Sequence, residues 1–385
     1  MVNYPTVASG QDEALPPDVL FDVLLRLPAK DICRFRAVCQ HWRSLTSDRL
    51  FTDAHAARHR APLIAASFNG DSDNVHVMDL SGQVVKRLPV AAEGLTTLVW
   101  SRLDDLVCVA NNSDGRCAVI NPNTGAVSHL PETTSPEENG GCAYHVFLLG
   151  RVESTGQRKV LRLSRDKSDG RHLMSSSVIT LLNEDDAGGG GSAQWRPSGR
   201  PKFLVNKYSG VVVGGAAYFF WWAAHYPDQH HRTQLWHDGI VPDCVARFDL
   251  ETEVWSTIRG PRLVDDAEYI NHVWEYMSML STSTLAELRG HLVLVHNYGC
   301  LDLWFLTDPE NHLWVQQYSI SYPDSVILNL TRLVKPLLLL DDGRIVIFLG
   351  HWGILFLYDP ANDAFSGLDT ERLDEVGLYT GSLLG

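Results

Sequence analysis

A short unit that recurs along most of the chain limits the possible folds more than any other feature of the sequence. Each copy has an apolar run, then Asp or Asn, a short polar turn and a second β-rich run. The five copies are VMDLSGQVVKRLP, VINPNTGAVSHLP, RFDLETEVWSTI, FLTDPENHLWVQQYSI and LYDPANDAFSGL. One hairpin of this kind cannot bury both of its faces, so we expect the sheets to cover one another around a ring.

The spacing of these copies is typical of a β-propeller. Asp79 and Asn121 are 42 residues apart, Asn121 and Asp249 are about three such intervals apart, and the later spacings are roughly 50 to 60 residues. Propeller blades have repeats in this range. We predict about six blades, with seven blades or an incomplete ring as alternatives. The glycine tract 188–191 and the stretch 262–283 are predicted to be insertions in loops.

Local sequence also predicts several turns and one buried strand. Tight turns are expected at Asp114-Gly115, Gly214-Gly215 and Asp342-Gly343, because glycine supplies the positive φ angles of such reversals. In the stretch Phe219-Phe220-Trp221-Trp222, successive side chains alternate between the two faces of a strand. Packing in the core is the expected role of these rings.

The first sixty residues have a helical pattern instead. A first apolar face begins after the Pro16-Pro17-Asp18 signal and ends at Pro28. Its members are Val19, Leu20, Val23, Leu24 and Leu27. A second face with the same spacing consists of Ile32, Phe35, Val38, Cys39, Trp42 and Leu45. The sequence therefore predicts two or three short amphipathic helices.

This helical segment is too short to be stable without help. About 45 residues seldom bury enough apolar area to fold alone, because each large buried side chain contributes only about 1.5 to 3 kcal/mol. Phe21 and Leu25 lie off the main face, and we expect part of their cover to come from another protein. The segment therefore needs a partner surface.

The same residues resemble the F-box family over the whole length of its motif. The resemblance lies in the order Leu15-Pro16, Asp18, Leu20, Leu24-Leu25-Arg26-Leu27-Pro28, Arg34, Val38-Cys39 and Trp42-Arg43. It implies binding to a Skp-type adaptor, which links such a chain to a cullin and a RING protein. The implied adaptor-facing or supporting residues are Leu15, Pro16, Leu20, Leu24, Leu27, Pro28, Val38, Cys39 and Trp42. A helical cap packed on the following domain is the alternative, because helical spacing alone fits both.

Most of residues 60 to 370 resemble the F-box-associated domain of plant F-box proteins. The matching phrases are INPNTGAVSHLP, GAAYFF followed by RFDLETEVWSTI, LAELRGHLVLV with LDLWFLTD, and DDGRIVIF with LYD. They occur in the order that the family has. The resemblance implies a target-recognition domain whose target differs between members, and it implies no shared catalytic residues.

The charge of the chain argues against two classes of partner. The formal net charge is -14 and the pI is about 5.5, whereas a nucleic-acid backbone or an anionic membrane surface needs a basic face. Residues 15–60 carry eight Lys or Arg against five Asp or Glu, which leaves this segment near +3 and the remainder near -17. We expect the two regions to meet different partners.

Cysteine usage and the apolar runs indicate where the protein resides. The seven cysteines include no closely spaced pair of the kind that zinc or redox sites use, so free thiols in a reducing compartment are expected. The first fourteen residues lack the basic start and apolar stretch of a secretory signal. The longest aliphatic run, Leu337 to Leu340, is far shorter than the roughly 18 residues of a membrane span. We expect a protein of the nucleus or cytoplasm.

Clusters of polar residues do not match known catalytic or metal-binding patterns. The densest cluster consists of His225, His230, His231 and His237 with Asp228 and Asp238. Its spacing fits no common ligand pattern, so a solvated loop is favoured over a metal site. His291 and His296 are predicted to point to opposite faces of one strand. The adjacent acidic pairs, such as Asp341-Asp342, are expected to stabilise turns.

Aromatic residues in the predicted loops are the expected contacts with a target protein. Such residues combine apolar area with a polar group, which is typical of the residues that dominate binding energies. They are Tyr226, Trp236, Tyr269, Trp274 and Tyr276.

These features together predict an α+β chain whose two classes of structure are separate along the sequence. A disordered stretch 1–14 precedes a three-helix module at 15–60 and a large all-β, propeller-like domain at 61–385. The leading hypothesis is the substrate-recognition subunit of an SCF-type ubiquitin ligase, without catalytic residues, cofactor or metal. A propeller-type glycan-binding lectin or enzyme with a structural helical start is the alternative, and a scaffold that binds the adaptor outside any degradation pathway is a third possibility.

Overall fold

The chain forms two compact units. The structure, a computed structural model, describes residues 16–59, 62–90, 97–99, 106–111, 115–132, 142–166, 174–181, 194–202, 205–206, 208–220, 244–261, 263, 283–322, 334–379 and 384. One unit consists of Met1–Ala61 with Gly381–Gly385, and the other is Pro62–Thr380. The division differs from the predicted one at the far end, where residues 381–385 group with the helical unit. Among the described residues, no helix is both long and apolar enough to cross a membrane.

Four short helices make up the first unit. They are α1 (Pro17–Leu24), α2 (Ala29–Phe35), α3 (Gln40–Ser47) and α4 (Arg49–Arg58). Pro17 lies in the first turn of α1, where its missing N–H leaves no hydrogen bond unmade. The Asp48 carboxylate accepts a hydrogen bond from the Leu50 N–H at 2.8 Å and so begins α4. The apolar spacing predicts two or three helices, whereas the structure has a fourth, α4, which begins at the Asp48 cap.

The core of the helical unit is small. Its fully buried apolar residues are Leu20, Leu24, Ile32, Phe51 and Leu384. The Phe21 ring packs edge-on against the Phe51 ring, with 5.1 Å between the ring centroids, and Leu25 is partly buried on the same core. The Phe51 ring of α4 therefore covers part of this side of α1, while Phe21 and Leu25 stay partly exposed, so the expectation that another protein supplies the rest of the cover stays a prediction.

The described residues of the second unit contain 24 strands. In chain order they are β1 (Leu63–Phe68), β2 (Asp71–Met78), β3 (Val84–Pro89), β4 (Thr97–Val99), β5 (Val107–Ala110), β6 (Cys117–Ile120), β7 (Val127–His129), β8 (Cys142–Arg151), β9 (Arg158–Asp166), β10 (Met174–Thr180), β11 (Arg196–Pro197), β12 (Val211–Val213), β13 (Ala216–Phe220), β14 (Cys244–Asp249), β15 (Trp255–Arg259), β16 (Thr284–Leu288), β17 (His291–Tyr298), β18 (Cys300–Asp308), β19 (Leu313–Ile320), β20 (Val334–Leu339), β21 (Ile345–Leu349), β22 (Ile354–Asp359), β23 (Ala364–Gly367) and β24 (Leu373–Tyr379). They form six sheets, each with four antiparallel strands.

These six sheets are the blades of a closed propeller. Blade 1 has the strand order β24-β1-β2-β3, and blades 2 to 6 are β4–β7, β8–β11, β12–β15, β16–β19 and β20–β23. The strands β24, β4, β8, β12, β16 and β20 each contact the next, and β20 contacts β24. The ring is closed by β24, which pairs with β1 from Leu63 opposite Tyr379 to Phe68 opposite Leu373. The prediction of six blades is confirmed, and the alternatives of seven blades or an open ring are wrong.

The recurring sequence unit is the turn between the third and fourth strands of a blade. In each copy, Oδ1 of the Asp or Asn accepts a hydrogen bond from the backbone N–H two residues later, at 2.9 to 3.0 Å. The five residues that accept these bonds are Asp79, Asn121, Asp249, Asp308 and Asp359. The side chain thus replaces the hydrogen bonds that the reversing backbone cannot make with a neighbouring strand. Blade 3 lacks the unit, and residues 182–193 join its third and fourth strands.

The predicted hairpins have the expected backbone geometry. Gly214 and Gly215 both have positive φ, at 55° and 69°, and join β12 to β13. Gly115 and Gly343 likewise have positive φ, at 78° and 88°. The Asp342 carboxylate accepts a hydrogen bond from the Arg344 N–H at 3.1 Å, which confirms the predicted role of this acidic pair in a turn. Asp114 and the other acidic pairs lie outside the described residues.

Both faces of a blade pack against its neighbours. Phe219 and Phe220 on β13 are fully buried and point in opposite directions. Phe219 joins the core that contains Leu148 of blade 3, and Phe220 joins the core that contains Leu294 of blade 5. The predicted alternation of this aromatic stretch is confirmed for these two rings, whereas Trp221 and Trp222 lie outside the described residues.

Candidate functional site

The helical unit presents apolar side chains to solvent on one face of α1. Val19 is 45% exposed and Val23 is 47% exposed. They are four residues apart on a helix, so their side chains are neighbours. On the adjacent side of α1, about 100° around the helix, Leu20 and Leu24 are buried in the core. The helix is thus apolar on both sides, and its own unit covers only one of them.

A second exposed apolar position lies where α2 gives way to α3. Val38 is 63% exposed in this junction, and Cys39 beside it is also exposed. The Cys39 sulfur accepts a hydrogen bond from the Trp42 N–H at 3.4 Å, which begins α3. The Trp42 ring packs edge-on against the Phe35 ring at a centroid distance of 5.3 Å. The junction is therefore held in place while its apolar side chains remain in solvent.

A basic groove borders this junction. Its volume is about 750 Å³, and its lining residues are Cys33, Arg36, Ala37, Cys39, Gln40, Arg43 and Ser47. The Arg36 guanidinium donates a hydrogen bond to the Thr46 carbonyl at 2.7 Å, which fixes its orientation. With two arginines and no acidic residue in its lining, the groove suits an acidic or carbonyl-rich partner segment.

Two histidines at the end of α4, His55 in its last turn and His59 just after it, hold the loop that joins α1 to α2. His55 Nε2 bonds to the Leu27 carbonyl at 2.8 Å, and His59 Nε2 bonds to the Leu25 carbonyl at 2.9 Å. Since a carbonyl can only accept, each ring carries its proton on Nε2. The two rings stack with 4.1 Å between their centroids. Burial lowers the pKa of His55 below its usual value, so this ring is neutral near pH 7.

The structure divides the predicted adaptor-binding residues into two groups. Leu20 and Leu24 are buried, so they support the surface from behind. Leu27 and Trp42 are half-buried. Pro16, Pro28, Val38 and Cys39 are exposed, and Leu15 lies outside the described residues. The sequence comparison with the F-box motif missed the outward position of Val19 and Val23, although both belong to the periodic apolar face.

The predicted target contacts all lie outside the described residues. These are Tyr226, Trp236, Tyr269, Trp274 and Tyr276, and the same holds for the histidine cluster around His230. In sequence, residues 221–243 join β13 to β14, and residues 264–282 lie between blades 4 and 5. Within the described part of the chain, no group of three or more His, Cys, Asp or Glu side chains could hold a metal ion. The proposed roles of these aromatic and histidine residues stay predictions.

One arrangement in blade 5 superficially resembles a hydrolytic site. The Ser283 hydroxyl and His296 Nδ1 are 3.0 Å apart, and Asp302 is the register partner of His296 on β18. Both Ser283 and His296 are buried, and burial lowers the pKa of His296. The exposed His291 lies elsewhere on the same strand, as predicted. Because both side chains are enclosed, the bond serves as an internal link between the start of β16 and β17.

Comparison with known proteins agrees with this division of the chain. Residues 13–53 match the F-box domain family, and residues 72–375 match the F-box associated beta propeller domain family. F-box protein At3g07870 of Arabidopsis thaliana is 26% identical, over 93% of this chain and 88% of that protein. F-box protein CPR1 of the same plant is 22% identical, over 81% of this chain and 74% of that protein.

Among solved structures, virginiamycin B lyase from Staphylococcus aureus is similar with a TM-score of 0.40 and 10% identity, over 81% of this chain and 85% of that one. This likeness is too distant to bear on fold or function. The family matches together span the helical unit and nearly the whole propeller. With its four helices followed by six four-stranded blades, the chain belongs to the plant F-box proteins that carry an F-box-associated β-propeller domain.

Proposed function

We propose that this protein is the substrate-recognition subunit of an SCF-type cullin-RING ubiquitin ligase. The F-box binds a Skp-type adaptor, which connects the protein to the cullin and RING subunits. The propeller binds the protein that is to be ubiquitinated. The observation that carries the proposal is the exposure of three valines of the helical unit, Val19, Val23 and Val38, hereafter together called the valine surface.

Exposed valines on a rigid helical support favour a protein partner. Each large aliphatic side chain gains roughly 1.5 to 3 kcal/mol when it is fully transferred from water into an apolar contact. Leu20 and Leu24 anchor α1 from behind, and the histidine bonds to the Leu25 and Leu27 carbonyls fix the loop at its end. The surface is therefore preorganised, and little side-chain or backbone entropy is lost on binding.

The proposed activity requires no chemistry from this chain. Binding the adaptor at one unit and the target at the other raises the effective concentration of target lysines near the ubiquitin-loaded enzyme. The difference in charge between the two units supports separate partners, since residues 15–60 are near +3 and the remainder near -17. We expect the complex to operate in the nucleus or cytoplasm, which a fluorescent fusion of the full chain would test.

The adaptor-binding part of the proposal is tested by complex formation in gel filtration. The full chain is mixed with a purified Skp-type adaptor, beside the double variant Val19→Asp/Val23→Asp. The matched control is Val254→Asp, because Val254 is a 58% exposed valine of the propeller. Wild type and the control should co-elute with the adaptor, whereas the double variant should elute alone with an unchanged circular dichroism spectrum. Failure of the wild type to co-elute would remove the proposal.

The target-binding part is tested at the loop aromatic residues. We propose that Trp236 and Trp274 contact the target, so changing either to Ala should abolish target capture without changing the thermal midpoint of the propeller. Tyr208→Ala is the control, because Tyr208 is a described and well-exposed aromatic residue. Quantitative mass spectrometry of captured proteins is the measurement. The same set of captured proteins in all variants would show that these two residues are not the contacts.

A further inference from the structure

One of the five fully buried residues of the F-box core comes from the opposite end of the sequence. Leu384 is 2% exposed and packs in the same cluster as Leu20, Leu24, Ile32 and Phe51. It follows β24 by five residues, after the chain has completed the whole propeller. Residues 381–385 accordingly group with the helical unit and not with the blades.

We infer that Leu384 is a structural part of the F-box, where it completes the apolar core and stabilises α1, the helix that carries Val19 and Val23. The helices alone supply four fully buried apolar side chains, and small modules of this size usually need an additional source of stability. Leu384 provides it. The residues that it packs with include Leu20 and Leu24. These two buried side chains anchor α1, and each directly follows one of the exposed valines, Val19 and Val23.

The topology of blade 1 explains how so distant a residue reaches this core. Tyr379 at the end of β24 is the register partner of Leu63 at the start of β1. Leu63 itself follows the end of α4 at Arg58 by five residues. Once β24 has paired with β1, only short stretches of chain separate this strand pair from Leu384 and from α4, so little further loop-closure entropy opposes the insertion of Leu384.

This arrangement makes the F-box dependent on closure of the propeller. A chain in which β24 has left β1 loses the tether that keeps Leu384 at a high effective concentration near the core. The F-box core is then incomplete, and the helix that bears Val19 and Val23 is less stable. On the proposed function, on which this consequence rests, the adaptor would bind closed propellers in preference to open ones.

Hydrogen exchange of the full chain tests the inference without an adaptor. In Leu384→Asp, amides of α1 and α4 should exchange about tenfold faster or more, because a buried leucine is lost from their core. Propeller peptides should exchange as in the wild type. The control is Leu313→Asp, since Leu313 is a leucine on β19 that is more than half exposed. This control should leave α1 and α4 unchanged.

A milder variant keeps the test decisive if Asp at position 384 unfolds the helical unit completely. Leu384→Ala should then show a smaller acceleration confined to the same helices. Unchanged exchange of α1 and α4 in both variants would overturn the inference. Titration of a purified Skp-type adaptor then adds the functional consequence, with weaker binding expected for Leu384→Asp than for Leu313→Asp. Because the exchange experiment contains no adaptor, its result stands whether or not the wild type binds one.

Discussion

At the scale of single residues, His55 makes the F-box sensitive to pH. His55 and His59 donate their Nε2 protons to the Leu27 and Leu25 carbonyls, and their rings stack. Burial lowers the pKa of His55 from its usual value of 6.5, so protonation is easier in the unfolded chain than in the folded one. The stability that follows from this shift is fully present above about pH 6.5 and is lost as the pH falls through the folded pKa.

We therefore predict that α1 and α4 become less stable as the pH falls from 7.5 to 5. Replacing the His55 ring should make their stability depend less on pH. Hydrogen exchange of the two helices, corrected for the intrinsic effect of pH, measures it. His55→Gln should show a weaker dependence on pH than the wild type. Greater stability of the two helices at pH 5 than at pH 7.5 in the wild type would contradict the assigned direction.

Three turn residues carry a backbone conformation that glycine adopts more easily. Glu253, His312 and Asp363 have φ angles of 58°, 54° and 49°, at the position that Gly125 occupies in blade 2. For L-residues this left-handed region costs roughly 1 to 2 kcal/mol. His312 is exposed, so its side chain adds little to offset the cost.

We predict that His312→Gly stabilises the propeller by up to about 1 kcal/mol and that Gly125→Ala destabilises it by about the same amount. No heavy atom lies within 4 Å of a Cβ placed at Gly125, so the second change tests the backbone alone. Denaturant unfolding is the measurement. A loss of stability in His312→Gly would show that the imidazole makes a contact worth more than the backbone strain.

At the scale of elements, the sequence predicts local structure well and packing poorly. The Asp and Asn turns are predictable because one side chain satisfies the adjacent backbone, as Asp359 does for the Ala361 N–H. The face that α1 buries is less predictable. Its apolar residues extend around most of the helix, and which of them are covered depends on Phe51 of α4, more than 25 residues away.

The closing strand shows the same limit more strongly. Nothing in LDEVGLY indicates that β24 pairs with β1, about 300 residues earlier in the chain. Ring closure is a property of the whole propeller, since the last strand must fill the one remaining position in blade 1. For the same reason the position of Leu384 cannot be read from its local sequence.

We predict that β24 contributes to stability chiefly through its buried face. Val376 is fully buried between blades 1 and 6, so Val376→Ala should destabilise the propeller by about 2 kcal/mol. Val254→Ala, at an exposed valine of blade 4, should change stability by less than about 0.5 kcal/mol. Thermal unfolding compares the two. Equal effects would mean that closure by β24 does not limit the stability of the ring.

At the scale of the whole molecule, the chain combines two units that differ in how they bury apolar residues. The F-box has a small core and an exposed valine surface, whereas the propeller buries both faces of its blades. Family resemblance predicts the F-box and the associated domain, and the spacing of the recurring unit predicts about six blades. It does not predict which valines face outward, because that depends on how four helices and Leu384 share one core.

Hydrogen exchange of the wild-type chain with and without a Skp-type adaptor tests the central claim most directly. Binding at the valine surface should slow exchange in peptides that contain residues 17–28 and 36–43, and leave the propeller strands unchanged. Val254→Asp should give the same protection pattern, and Val19→Asp/Val23→Asp should give none. Protection confined to propeller peptides, or an adaptor complex that leaves α1 unprotected, would contradict the proposed use of this surface.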